Sequence, residues 1–161
     1  MTEFQIQKAD RKDAPLIKDM LHSMVSEMAS LGGRRISNQA EDWVRATETI
    51  RDRLEQPDYL YLLAVLPQEP GVVAGFIEAR IENVYPVFEP VQSLHICALY
   101  VAHTHRRKGI GRRLLQAALE WGKQAGCRET DLNVLKDNSA HSLYHSLGFK
   151  GTEIRMTRKL D

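Results

Sequence analysis

No stretch of this 161-residue chain is apolar for long enough to cross a bilayer, and Met1 to Asp10 has neither the basic start nor the apolar run of a secretory signal. A membrane span is not expected, and a cytoplasmic location is. Cysteine is scarce: Cys97 and Cys127 sit in or beside apolar segments and are too few for a disulfide framework, which fits a reducing compartment. Neither sign of charge dominates. With 22 Lys+Arg against 21 Asp+Glu the net charge is +1, so no surface-wide basic footprint for nucleic acid is expected. Repeats and low-complexity tracts are lacking as well. What remains is ordinary globular usage, 43% hydrophobic and 27% charged, in a length that buries a full core, read as one domain over residues 1–161.

Against that even background one segment is dense in positive charge and glycine: Val101-Ala-His-Thr-His-Arg-Arg-Lys-Gly-Ile-Gly-Arg-Arg-Leu-Leu115. It joins an apolar strand, Leu94 to Val101, to an amphipathic helix whose stripe is Ile110, Leu114, Leu115, Ala118, Leu119 and Trp121. A helix start offers unpaired N–H groups and the positive end of the helix dipole, and Gly109 and Gly111 let a ligand approach the backbone. Arg106, Arg107, Lys108, Arg112 and Arg113 add charge, so a small polyanion is the expected ligand. The dinucleotide string G-x-G-x-x-G and the triphosphatase string G-x-x-x-x-G-K-[ST] do not occur.

What stands instead is Arg106-x-x-Gly109-x-Gly111, which resembles the coenzyme A pyrophosphate loop of the GNAT N-acetyltransferases, R/Q-x-x-G-x-G/A. Further on, Asn138-Ser-Ala-His-Ser-Leu-Tyr-His-Ser-Leu-Gly-Phe149 is similar to that family's second signature, N-x-x-A-x-x-L-Y-x-x-x-G-F. One position departs from it. Asn138 is two residues before Ala140 rather than three, so Asp137 occupies the register of the family's asparagine.

The order of elements agrees with the resemblance. Strand Phe4 to Ala9 is followed by a helix capped by Asp10, carrying Leu16, Ile17, Met20, Leu21, Met24, Met28 and Leu31 and ending at Gly32-Gly33. Asn38 to Glu55 is a second helix. Tyr59 to Leu66 and Val72 to Ile81 form an antiparallel hairpin, and Glu82 to Gln92 is a loop. Strand Leu94 to Val101, helix Gly109 to Gln124, strand Thr130 to Leu135, helix Ser139 to Leu147 and strand Phe149 to Leu160 complete the chain. The expected class is α/β (α+β) of GNAT fold: a mixed, mostly antiparallel sheet of about six to seven strands, helices on both faces, and a split between strands 4 and 5.

The resemblance implies that the pantetheine arm lies in that split against backbone groups of Leu99, Tyr100 and Val101, like an added strand. The pyrophosphate then falls on Arg106, Arg107, Lys108, Gly109, Ile110, Gly111 and Arg112, and Asn138 and Tyr144 line the arm. The expected reaction is direct transfer of acetyl from acetyl-coenzyme A to a primary amine. A non-catalytic acyl-coenzyme A binding module and another acyl donor are the alternatives. Transfer to an amine needs a neutral nucleophile, a donor to the carbonyl oxygen and a proton for the thiolate. Tyr144 is the implied acid. For the base, His95 stands where many family members carry glutamate, and Glu78, Glu82 or water compete with it. Cys97, two residues from His95, makes a Cys-His nucleophile conceivable but disfavoured.

No metal is expected. The pairs His141/His145 and His103/His105 have the spacing of zinc ligands but no acidic or cysteine companion at a useful distance. The acceptor site is expected from the first two helices, the tip Gly32 to Gln39, and Glu82 to Gln92 with Tyr85 and Phe88. Glu41, Asp42, Glu82 and Glu89 could receive a cationic amine, with polyamine-like, aminoglycoside-like, amino-acid and peptide amines all open. Partners are thus acetyl-coenzyme A and an amine, with no nucleic acid and no membrane, and with a homodimer left open.

Overall fold

The computed structural model describes residues 3–90 and 92–160, so one position of the loop expected over Glu82 to Gln92 lies outside the described residues. Five strands, β1 (Gln5–Lys8), β2 (Tyr59–Val65), β3 (Val73–Asn83), β4 (Gln92–Val101) and β5 (Glu129–Leu132), form one sheet in chain order. The first four are antiparallel neighbours, while β5 lies parallel to β4. That change of direction is what the intervening crossover helix permits. The helices are α1 (Ala14–Ser30), α2 (Ala40–Leu54), α3 (Ile110–Gln124) and α4 (His141–Ser146).

Alternation along the strands builds two cores, one on each face of the sheet. Leu60, Leu62, Ala64, Ile77, Ala79, Leu94 and Ile96 meet Ile110, Leu114, Leu115 and Ala118 of α3. On the opposite face Tyr61, Leu63, Phe76 and Ala98 meet Ile17 and Met20 of α1 and Ile50 of α2. Fully burying each such aliphatic side chain stabilises the fold by about 1.5 to 3 kcal/mol. Helices therefore cover both faces, as expected.

Local signals place the helix starts. The Asp10 side chain accepts from the Lys12 N–H at 2.9 Å, and the Asp10 N–H donates to Asp13 Oδ2 at 2.8 Å, a reciprocal cap that opens a short 3-10 turn into α1. Packing is close at two glycines of the sheet and its helix. A Cβ on Gly75 would stand 2.4 Å from the Tyr100 carbonyl oxygen, and one on Gly122 would stand 2.7 Å from Leu94 Cδ2. The first lets β3 hug the end of β4; the second lets α3 lie flat on the sheet.

Four expectations are corrected. The sheet has five strands among the described residues, not six to seven. The strand expected over Phe149 to Leu160 is not formed: residues 150–160 have no strand pairing and are exposed throughout. A strand exists only against a partner edge, and this segment meets none among the described residues. β5 stops at Leu132 rather than Leu135, and α4 covers only His141–Ser146 of the helix expected over Ser139 to Leu147.

Candidate active site

The site begins where the sheet loosens. β4 and β5 pair from Ser93↔Glu129 to Ile96↔Leu132 and then part, while β4 runs on to Val101. At the same level the β3–β4 register shifts, since Glu78 faces Ala98 and Ala79 faces Ile96, which leaves Cys97 as the extra residue of a bulge. Beyond that bulge, among the described residues, the β5-side edge of Leu99, Tyr100 and Val101 has no strand beside it. This is the expected split, and it carries an open edge able to pair with an extended ligand.

The open edge leads straight into the basic loop. Arg107 has φ 64 and Gly109 φ 80, two left-handed residues that curl the chain before α3. Among the described residues the N–H groups of Arg107, Lys108 and Gly109 have no acceptor, and no side chain caps α3, so its first-turn N–H groups at Ile110, Gly111 and Arg112 stay free. Converging free donors at a helix start form an anion site. Arg107, Lys108 and Arg112 are exposed above it. Arg106 is differently employed: Nε donates to the Val101 carbonyl at 2.8 Å and Nη2 donates to both carboxylate oxygens of Glu27 on α1, at 2.8 and 2.7 Å. It also stacks over the Tyr100 ring, 5.7 Å from the centroid. Arg106 thus pins the loop to the body.

α4 closes one side of the split. Arg112 Nη2 donates to Ser146 Oγ at 2.7 Å, and a Cβ on Gly111 would lie 3.5 Å from Leu143 Cδ2, so α4 rides on the first turn of α3. Tyr144 packs into the α3-side core with its ring 5.9 Å from Phe149, and burial raises its phenol above the ordinary range. A phenol held neutral keeps its proton available. Asn138 spends its Oδ1 on the Ala140 N–H at 2.9 Å, which caps the turn into α4.

On the opposite face His95 and the competing bases are sorted by their partners. Glu78 is buried and paired with Arg53 at 2.9 Å beside Tyr61, whose hydroxyl is raised first by burial and then by the Glu78 charge. Glu82 accepts from Arg80 Nε at 2.6 Å. His95 instead has its Nδ1 2.5 Å from Asp131 Oδ1, an acceptor that selects the tautomer leaving Nε2 as the free lone pair. The Cys97 thiol is pushed up to about 12 by burial and by Glu78, so a Cys97 thiolate is negligible at neutral pH.

Asp131 escaped the sequence reading because nothing local aligns it with His95. The parallel register His95↔Asp131 does so. The available signal was parity: Thr130 and Leu132 face α3, so Asp131 faces away with His95. Glu82, His95 and Asp131 bring their side-chain N and O atoms within 4.8 Å of one another. Such a set can hold a divalent ion as well as relay a proton, and the Arg80 guanidinium already supplies a cation to Glu82. Among the described residues the pairs His141/His145 and His103/His105 gather no third ligand of this kind. His141 Nε2 meets the Leu135 carbonyl and His145 Nδ1 the Phe149 carbonyl.

The end of α1 comes close to the segment after β5. A Cβ on Gly33 would stand 3.3 Å from Leu135 Cδ1, so the α1–α2 connection lies against the segment after β5. Tyr85 and Phe88, at 71% and 60% exposure, stand out in the β3–β4 loop instead of packing on the body.

The site joins a split sheet with an open strand edge to a donor-lined basic loop. The acetyltransferase (GNAT) family matches residues 25–149, and the chain belongs to that family. It is similar to an aminoglycoside N(6')-acetyltransferase type 1 of Acinetobacter haemolyticus, 32% identical over 107 residues that span 63% of this chain and 72% of that protein. It is equally similar to the uncharacterized N-acetyltransferase YhfO of Bacillus subtilis, 32% identical over 121 residues, 73% of this chain and 76% of the relative. Among solved structures, the aminoglycoside N-acetyltransferase AAC(6')-Iy in complex with CoA superposes with a TM-score of 0.76 at 17% identity, over 99% of this chain and 96% of the other. A predicted acetyltransferase from Clostridium acetobutylicum with acetyl-CoA gives 0.78 at 16% identity, over 98% and 96%. At those identities the structures share the fold. The chain is thus an acyltransferase, an acetyl-coenzyme A dependent N-acetyltransferase by family. Among the described residues no helix is long and apolar enough to cross a membrane.

Proposed function

We propose that the protein transfers acetyl directly from acetyl-coenzyme A to a primary amine of a small polycationic acceptor, of the kind the aminoglycoside acetyltransferases modify. The observation that carries this reading is the parting of β4 and β5 after Ile96, with the His95–Asp131 pair just before it and Tyr144 on the other face. In this reading the diphosphate sits on the free N–H groups from Arg107 to Arg112, with Arg107, Lys108 and Arg112 supplying charge-assisted contacts. Arg106 holds the loop. The pantetheine amides run along Leu99, Tyr100 and Val101, and Asn138 offers only its Nδ2 to that arm.

His95 Nε2 takes the proton from the acceptor ammonium, and the neutral amine nitrogen attacks the thioester carbonyl carbon. As the new C–N bond forms, the C–S bond breaks, the Tyr144 hydroxyl gives its proton to the departing sulfur, and the attacking nitrogen loses its second proton to water. Water returns a proton to Tyr144, and His95 releases the one it took to solvent, the net proton of the reaction. Asp131 is a positioning residue that holds the imidazole tautomer. Glu82 and Asp131 beside His95 favour an acceptor carrying more than one positive charge. The test is free-thiol release from acetyl-coenzyme A over a panel of aminoglycosides, polyamines, amino acids and a lysine peptide, with products read by mass. Acetylation of the polycationic small molecules at the highest kcat/KM is expected. Faster turnover of the peptide or of simple amino acids would overturn the acceptor class, and binding without turnover for every amine would overturn the mechanism.

A further inference from the structure

Three strands each deliver one metal-ligating side chain to the same spot: Glu82 from β3, His95 from β4 and Asp131 from β5, with donor atoms within 4.8 Å of one another. The registers bring this about. His95 faces Asp131 across the parallel pair, and Glu82 stands opposite Ser93, two residues along from the Arg80↔His95 pair, so all three side chains rise from one face of the sheet. No local spacing announces the set, because its members lie far apart in the chain.

An imidazole with two carboxylates is a donor set for a borderline divalent ion such as Zn2+; the ring nitrogen favours such an ion over Mg2+ or Ca2+. Zinc bonds of about 2.0 to 2.2 Å put tetrahedral ligand atoms roughly 3.3 to 3.6 Å apart, so small side-chain rotations close the set. Its outer support is in place. Ser93, 5% exposed, donates from Oγ to Asp131 Oδ2 at 3.2 Å, which leaves Oδ1 turned to His95 Nδ1. Asp131 is exposed while Glu82 and His95 are half-buried, so an ion enters from solvent and water fills its fourth position. The competitor is Arg80, whose guanidinium holds Glu82.

We propose that Glu82, His95 and Asp131 form an inhibitory site for a divalent transition-metal ion of the zinc type. A neutral imidazole has one proton and one lone pair. An ion on Nδ1 takes the lone pair there and leaves the proton on Nε2, and an ion on Nε2 occupies that lone pair directly. Either way nothing remains to accept the proton of the acceptor ammonium. The inhibition rests on the reading of His95 as the base; the binding of the ion does not.

The test is calorimetric titration of the metal-free full chain with Zn2+, then turnover at buffered free zinc with the acetylated amine read by mass. The expected result is one Zn2+ per chain, and turnover that falls with occupancy and returns on chelation. His95→Ala and Glu82→Gln should each weaken binding by about 10²-fold or more, and Ser93→Ala by about tenfold. Arg80→Gln should tighten it, because it releases Glu82, a direction that general loss of structure would not produce. With Co2+ as the probe, the visible spectrum should show nitrogen and oxygen ligation without a thiolate charge-transfer band. A parent that binds no Zn2+, variants that bind it as the parent does, or a thiolate band from Cys97 would each overturn the site. Zinc seated by all three residues with turnover untouched overturns the inhibition and the base assignment together, whereas absence of the site with a low rate in His95→Ala overturns the site and leaves that assignment standing.

Discussion

Arg106 and Arg107 are adjacent arginines with different employment, and the difference decides which substitution reports on ligand binding. Arg107→Glu with Lys108→Glu removes two exposed charges over the free N–H groups. Each charge-assisted contact is worth about 1.5 to 3 kcal/mol, so coenzyme A affinity should fall by about 10²-fold or more with an unchanged melting temperature, as read by calorimetric titration and thermal denaturation. Arg106→Glu should instead lower both, because it sets two carboxylates against each other at Glu27 and frees the Val101 carbonyl. Equal effects of the two changes would remove the distinction. Cys97 gives a second check at this scale. Its thiol is shifted from an ordinary value of 9.0 to about 12 by burial, so the folded state binds this proton more tightly than the unfolded chain does. The stability that follows is fully present below pH 9 and is lost as pH rises toward 12. Cys97→Ala should flatten that alkaline fall, measured as urea midpoints against pH. The residues of the loop were legible because their donors come from one continuous segment. His95 was reachable by counting back from Arg106, whereas Asp131 depends on a parallel register that no local pattern reports.

Among the elements, the hairpin β2–β3, β4, α1, α2 and α3 follow from the periodicity of their apolar residues, to within a few residues at each end. The tail from Phe149 to Leu160 shows where periodicity stops being sufficient, since alternation states that a face can be buried and not what buries it. β4 is positioned by its neighbour at Gly75. A Cβ there would stand 2.4 Å from the Tyr100 carbonyl oxygen, a contact with backbone that no side-chain rotation relieves. Gly75→Ala should therefore destabilise the fold by about 1 to 3 kcal/mol in urea unfolding and weaken coenzyme A binding as β4 is pushed out of place. Gly109 differs, with open space around its Cβ position and φ 80. Gly109→Ala should cost only the left-handed strain of about 1 to 2 kcal/mol. A Gly75→Ala variant as stable as the parent would mean that β3 and β4 can separate without consequence.

At the scale of the whole molecule, chemistry depends on one sheet with two different faces. His95 and Asp131 belong to the side covered by α1 and α2 and Tyr144 to the side covered by α3, so the proposed mechanism relies on the parting of β4 from β5 to bring one thioester to both. That the fold belongs to this class was readable from two short signatures. The candidates Tyr144 and His95 were readable too, but their placement on opposite faces was not, because it exists only once the strands are in register. Tyr144→Phe should lower kcat by about 10²- to 10⁴-fold with little change in acetyl-coenzyme A affinity, since the ring still packs against Phe149 while its proton donor is gone. The most direct measurement is the pH dependence of kcat/KM for the parent and His95→Ala, taken with two acceptors whose amines differ in pKa. The account predicts that the parent's acidic limb stays at one pH for both acceptors and that His95→Ala loses both the limb and most of the rate. A limb that moves with the acceptor, together with full activity in His95→Ala, would contradict it.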